Sequence, residues 1–390
     1  MNPLAKNRIE TIDLLKGIVM VIMALDHIRD FIHIGAYSYS PTNPNHSTVF
    51  IYFTRWITHF CAPVFCFLAG TSVYFSGKRK TKGELSSFLI KRGLWLALME
   101  ITIINFAWFF NIHFNTIVLM VIWELGISMI FLAALIYLPN TIILIFSCLL
   151  IFGHNLLDGV HFKGNLLWAI LHDISVFNIS DSMTLGVYYH LIPWVAVMSL
   201  GYYFGTFYDK SFDGIKRKKI LNIIGISAIV LFIALSYLNI YGDPRGWKHY
   251  DTATKTLMSV FNPNKYPPSL LFLLMTLGPA FIFLANSENL KGKIVNFFST
   301  FGRVPFFYYV IHLYIIHVIA CLFAQLSGYG WQSMIITNFP PGSPALKGFG
   351  FRLWVVYLVW IAVIAITYPL CKWFDNYKMS HKEKRWLSYL

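Results

Sequence analysis

The sequence predicts an all-α, polytopic membrane protein with about ten transmembrane helices and both termini in the cytoplasm. Three observations predict it. Of 390 residues, 57% are hydrophobic and 12% charged, roughly half the charged share of a soluble domain. The apolar residues recur in runs of about 20, the length a helix needs to cross the hydrocarbon layer. Lys and Arg, finally, are divided unevenly between the segments that separate those runs. The 35 Phe and 22 Tyr suit lipid contact and the interfacial belts.

The runs place spans at 12–34, 49–76, 87–111, 115–137, 140–156, 187–208, 219–240, 267–287, 300–325 and 351–374. Residues 1–390 read as a single transmembrane domain, because the polar tails are short. The start, MNPLAKNRIETID, is polar and leads into a full span without a small-residue cleavage site, so no cleavable signal peptide is expected. Two longer segments, 157–186 and 241–266, lie on the outer side. The first is expected to hold a short interfacial or re-entrant helix. No internal repeat or low-complexity stretch is visible. Cys61, Cys66, Cys148, Cys321 and Cys371 lie in or beside spans without metal-ligand spacing. They read as apolar packing residues, and no metal is expected.

Of the 31 Lys and Arg residues, twenty fall on the side of the termini. Lys6, Arg8, Lys78, Arg79, Lys80, Lys82, Lys91 and Arg92 are among them. Seven fall on the opposite side, and Lys16, Arg29, Arg55 and Arg303 fall inside spans. The positive-inside rule therefore puts the termini in the cytoplasm. Topology and anionic headgroups account for the net charge of +14, and nucleic acid is not needed as a partner.

Ionisable residues are costly in a bilayer and are retained where they face a cavity, a pathway or each other. The first span, TIDLLKGIVMVIMALDHIRDFIHI, carries Asp13, Lys16, Asp26, His27, Arg29, Asp30 and His33. Lys16, Met20, Met23, His27 and Asp30 follow steps of four and three, so they share one helix face. Lys16 and His27 are about 16 Å apart along the axis. The stripe joins a cytoplasmic cation to a deeper imidazole. In the second span Arg55 and His59 share a face, and Arg55 reaches the depth of His27. Asp26 or Asp30 is its expected partner. Small residues around Gly70 suit close helix packing. Glu100 and Glu124 lie inside spans, either paired with buried cations or functional. His190 opens the sixth span, Lys265 stands just outside the eighth, and the ninth holds Arg303, Tyr308, His312 and His317. His113, His161, His172 and His317 read as interfacial or hydrogen-bonded histidines.

The segment Ile12-Asp13-Leu14-Leu15-Lys16-Gly17 followed by His27 resembles the opening helix of membrane acyltransferases. In the acyltransferase-3 group a basic residue precedes a histidine by ten intervening positions. A closer resemblance is to the bacterial relatives of the lysosomal heparan-α-glucosaminide N-acetyltransferase. It is carried by RWITHFCAPVFCFLAGTS (55–72), KYPPSLLFLLMTLGPA (265–280) and FGRVPFFYYVIHLYIIH (301–317) and covers nearly the whole chain. The lysosomal enzyme has Asn where this chain has Asp26, and its histidine lies further along, which leaves His33 as a rival to His27. It also has a large lumenal N-terminal portion not found here, so its acceptor is not carried over.

The resemblance implies a multi-pass enzyme of the bacterial inner membrane. It would move an acetyl group from cytoplasmic acetyl-CoA to an amine or hydroxyl of a sugar or glycan outside. Lys78, Arg79, Lys80, Lys91 and Arg92 form a cluster suited to the CoA phosphates, and Lys16 suits the end of CoA nearest the membrane. His27 would be the general base, with Asp26 or Asp30 orienting the ring. Arg55 or His59 would stabilise the developing oxyanion. His33, His190 and Lys265 would contact the acceptor. The bilayer and the acceptor are the expected partners, and a homodimer is an open expectation. The rival reading is a transporter or flippase for a glycan, lipid or small solute. Inverted repeats would mark it, and none is seen.

Overall fold

The computed structural model describes residues 10–337 and 344–388. Lys6 and Arg8, counted above with the cytoplasmic tail, lie outside the described residues. The chain is mostly helical. Its helices are α1 (Glu10–Ile32), α2 (Val49–Ile57), α3 (Cys61–Gly77), α4 (Lys82–Met99), α5 (Asn105–Phe109), α6 (Val121–Leu135), α7 (Asn140–Gly153) and α8 (Leu166–Leu171). They continue with α9 (Leu191–Phe204), α10 (Gly214–Leu238), α11 (Ala253–Val260), α12 (Leu270–Asn286), α13 (Lys293–Arg303), α14 (Pro305–Leu326) and α15 (Leu353–Ser380).

Among the described residues, five segments are long and apolar enough to cross a membrane: Val49–Gly77, Asn140–Leu157, Gly214–Leu238, Pro305–Leu326 and Leu353–Ser380. The first runs through α2, a 3-10 turn at Thr58–Phe60 and α3. α6 and α12 are apolar but shorter. α1 misses that description because of its own charges. It is buried along most of its length, Asp13, Asp26 and Arg29 included. It packs against α13, α14, α15 and α3, so its ionisable groups meet protein rather than lipid.

Three expectations need correction. Residues 115–137 are not helical throughout: Thr116–Leu119 form strand β1, and the helix starts at Val121. The segment 157–186 holds the short α8, but also β2 (Ser175–Ser180) and most of β3 (Met183–Val187). The sheet order is β1-β3-β2. β1 runs parallel to β3, with Thr116 opposite Thr184, and β2 runs antiparallel to it. The fold is therefore not purely α; pairing lets these segments satisfy their backbone groups without a helix. The predicted span at 300–325 is also broken. Pro305 has no amide hydrogen and suits a helix start, so α13 ends at Arg303 and α14 begins at Pro305.

The lysine-rich connections gather at one end and are tied by ion pairs. Lys78 pairs with Asp209. Arg217 binds Glu288 at 2.6 Å, and Arg303 binds Asp375 at 2.6 Å. At the other end, Asn262 donates to the Thr42 carbonyl, the Ile336 amide to Phe109 and the Phe351 amide to Ile32.

Glycines set the closest helix crossings. A Cβ on Gly17 would lie 1.8 Å from the Phe298 carbonyl oxygen, and one on Gly302 1.9 Å from that of Asp13. Gly70 and Gly201 make the same reciprocal contact between α3 and α9, as the small residues there imply. Backbone cannot yield as a flexible side chain does, so Gly17→Ala is expected to cost about 1–3 kcal/mol or more. A cysteine-reactive dye or light-scattering melt in detergent should show a lowered unfolding temperature. Gly83→Ala, at a helical position with nothing within 4 Å, should not lower it.

Candidate active site

The outer-predicted end of α1 borders a cavity of about 690 Å³. His27, Asp26, Arg29 and Asp30 line it from α1, and Arg55 and His59 from the α2–α3 junction. Trp108 from α5, Tyr309 from α14, Tyr189, and the loop residues Lys265 and Tyr266 complete the part nearest His27. The 3-10 turn after α2 lets Arg55 and His59 both reach this space. Glu100–Ile104 adopt a π-turn between α4 and α5. Such a turn inserts a residue and re-aims the helix beyond it. Trp108 then meets His27 edge-on, with centroids 4.9 Å apart.

Four charges form the floor. Asp26 Oδ2 accepts from Arg55 at 2.5 Å, and Asp26 Oδ1 pairs with Arg29 at 2.8 Å. Arg29 also binds Asp30 at 2.5 Å. Arg55 further donates to the Thr58 hydroxyl at 3.2 Å. Arg29 and Asp26 are 3% and 8% exposed, so each charge is tolerated because the others neutralise it. Of the two expected partners for Arg55, Asp26 is the one that touches it.

Neither carboxylate orients the His27 ring, contrary to expectation. His27 Nδ1 lies 2.8 Å from Nε2 of His312, and His312 Nδ1 lies 2.7 Å from the Tyr308 carbonyl oxygen. Asp26 and Asp30 are turned toward the arginines, about 100° around the helix per residue. His312 was legible only as a histidine in an apolar span. Its spacing from Tyr308 gives the helical turn, but nothing in its neighbourhood points to α1.

Among the described residues neither Glu100 nor Glu124 pairs with a cation, so of the two readings left open the ion pair is not the one seen. Glu100 accepts from the backbone amides of Ile122 and Trp123 at 2.8 and 2.9 Å, capping the start of α6, where helix amides lack internal partners. Glu124 accepts from the Ser128 hydroxyl at 2.6 Å and the Cys66 thiol.

The other predicted residues separate into groups. Lys265 reaches the cavity, its ammonium 5.2 Å from the Tyr266 ring centroid. His33 and His190 are buried but do not line it. His33 Nδ1 accepts from the Gly35 amide at 3.0 Å, and His190 Nδ1 faces the Ala169 carbonyl at 3.0 Å. Lys16 donates to Ser72 at 2.5 Å and lies outside the lining. Lys78 carries Asp209, while Arg79, Lys80 and Lys91 are exposed and Arg92 is half-buried. Lys80 and Arg92 both lie over the Phe88 ring. Among the described residues no group of three or more His, Cys, Asp or Glu is placed to hold a metal.

The family model of the heparan-alpha-glucosaminide N-acetyltransferase catalytic domain matches residues 8–241. The chain belongs to this family. The match takes in α1 and the α2–α3 junction, hence Asp26, His27, Arg29, Asp30, Arg55 and His59. Lys265, Tyr309 and His312 lie beyond it. No curated protein matches the chain. Membership in the heparan-alpha-glucosaminide N-acetyltransferase family makes the chain a transferase of the acetyltransferase kind, and its apolar helices make it a membrane protein.

Proposed function

We propose that the chain takes an acetyl group from cytoplasmic acetyl-CoA and places it on an amine or hydroxyl of a sugar or glycan outside a bacterial inner membrane. The reaction takes place in the cavity at the end of α1. One observation carries this reading: the α1 histidine of an acetyltransferase-family chain borders a sizeable cavity with a ring nitrogen that no other side chain among the described residues claims.

His27 is the general base. It removes the proton from the acceptor as the acceptor attacks the thioester carbonyl, and returns it to the departing sulfur. Arg55, fixed by Asp26, and His59 beside it border the same space and supply positive charge or a donor for the oxyanion. Lys265 and Tyr266 hold the acceptor from the loop side. Arg79, Lys80 and Lys91, exposed at the lysine-rich end, meet the CoA phosphates. Lys16 marks the inner limit of the donor path.

The test uses detergent-purified protein, labelled acetyl-CoA and a panel of glucosamine-type acceptors. Acceptor-dependent release of CoA is the expected result. If the protein neither binds CoA nor transfers label, the reading fails and transport of a glycan, lipid or small solute takes its place.

A further inference from the structure

His312 sits in the middle of α14, fully buried, and its ring meets that of His27. The two rings lie 15° from coplanar with centroids 5.0 Å apart. With 2.8 Å between the facing nitrogens, this is an edge-to-edge contact in a shared plane, the geometry in which an imidazole N–H points at a ring lone pair. The Tyr308 ring stacks on His312, 6° from parallel at 4.8 Å, which leaves the His312 ring little freedom to turn.

The protons of this pair follow from one fixed end. A carbonyl oxygen can only accept, so the nitrogen 2.7 Å from the Tyr308 oxygen, His312 Nδ1, is the one that carries hydrogen. In a neutral His312, Nε2 is then a bare acceptor. His27 Nδ1, facing it, must be the N–H donor. This leaves His27 Nε2 with the lone pair. That atom has no hydrogen-bond partner and is not a sealed, buried orphan among the described residues, and His27 lines the cavity. Which nitrogen of a histidine acts is set by the bond its other nitrogen makes.

We propose that His312 is a positioning residue which, anchored on the Tyr308 carbonyl, holds His27 in the Nδ1–H tautomer and so presents Nε2 to the cavity as the base. For acetyl transfer the steps then balance. The acceptor's O–H or N–H bond breaks and its proton goes to His27 Nε2. The acceptor's electron pair forms the new bond to the thioester carbon. The C–S bond breaks, and the proton leaves Nε2 for the sulfur. Through both steps the Nδ1–H of His27 stays directed at His312 Nε2, which accepts more strongly from the transient imidazolium. His312 does not line the cavity itself.

The kinetic part of this inference rests on the acetyl-transfer reading; the tautomer itself does not. The experiment therefore has two arms. In the first, protein labelled with 15N-histidine is reconstituted in lipid and its imidazole nitrogen shifts are recorded by solid-state NMR, with His27 assigned as the signal missing from His27→Asn. A protonated Nδ1 and a bare Nε2 on His27 are expected. An Nε2–H ring in the wild type would overturn the proposal, whatever the protein catalyses. The second arm compares His312→Gln, whose amide oxygen can still accept from Nδ1–H, with His312→Phe, which cannot. His312→Phe should lower kcat by about 10- to 10³-fold with KM little changed, and its His27 signal should lose the Nδ1–H form. His312→Gln should keep that form and recover most of the rate. Equal loss in both variants, or no loss in either, rejects the positioning role. If His312→Phe does not fold, the wild-type and His312→Gln spectra still decide. If no acetyl transfer is found with any acceptor, the functional reading falls while the first arm still tests the tautomer.

Discussion

His27→Ala is expected to lower acetyl transfer in purified protein by about 10²–10⁴-fold, the usual worth of a positioned general base. The loss should fall on kcat, because the side chain acts on a proton in flight rather than on ground-state binding. Folding should survive. The substitution removes one hydrogen bond and leaves His312 Nε2 without a donor, a cost of about 1–3 kcal/mol, and it removes the ring contacts with Trp108 and Tyr309, while the apolar side chains of α1 keep theirs. The measurement is label transfer to the acceptor at saturating acetyl-CoA, with expression and gel-filtration profile as controls. Near-normal activity in this variant removes His27 from the mechanism. His59 then becomes the first alternative, because it borders the same cavity. His33 comes second, since its ring is committed to the Gly35 amide.

Asp26→Ala is expected to have the larger effect on stability. Asp26 stands between Arg29 and Arg55, in contact with both. Without it two guanidiniums face each other in a site that excludes most solvent, with Asp30 left on Arg29 alone. Breaking a buried ion pair by removing one partner costs about 3–5 kcal/mol. A drop of several degrees in the thermal unfolding midpoint in detergent should result. Asp26→Asn keeps the volume and a carbonyl acceptor, so it should recover part of the loss, but not all, because the charge is gone. Activity should fall in both, since Arg55 loses the group that fixes it at the cavity wall. An Asp26→Ala protein as stable as the wild type would show that the arginines find other partners or water, and would remove Asp26 from the scaffold of the site.

Both predictions rest on residues that were conspicuous in the sequence, yet the reasons for their behaviour were not. Charges inside an apolar run mark α1 as unusual wherever they point. The 3.6-residue period gives the face that holds Lys16 and His27, and it fails to give the partner of either. Arg55 was a candidate for Asp26 because two adjacent spans run antiparallel and their depths can be counted from one surface. The same count leaves Asp30 equally eligible, and side-chain direction on a packed helix decides between them. The ring partner of His27 is 285 positions away, beyond any argument from spacing.

What local physics controls could be read from the chain alone. Apolar runs of helical length and the scarcity of charge made it a helical membrane protein, and the distribution of Lys and Arg separated two sets of connections. The charges within α1 demanded a polar surrounding. Only the tertiary structure decided what depends on which elements abut. It set β1 beside β3 across a long connection, where the apolar run of β1 read alone looks like part of a span. It made Glu100, left open between an ion pair and a functional role, the cap of α6. It brought α14 against α1, so that His312 and not a carboxylate meets His27. The physical reason is common to all three. Hydropathy and periodicity are properties of neighbours along the chain, while a hydrogen bond between elements depends on relative rotation and depth. In this bundle those are fixed by close contacts such as Gly17 on the Phe298 carbonyl, which no single segment contains.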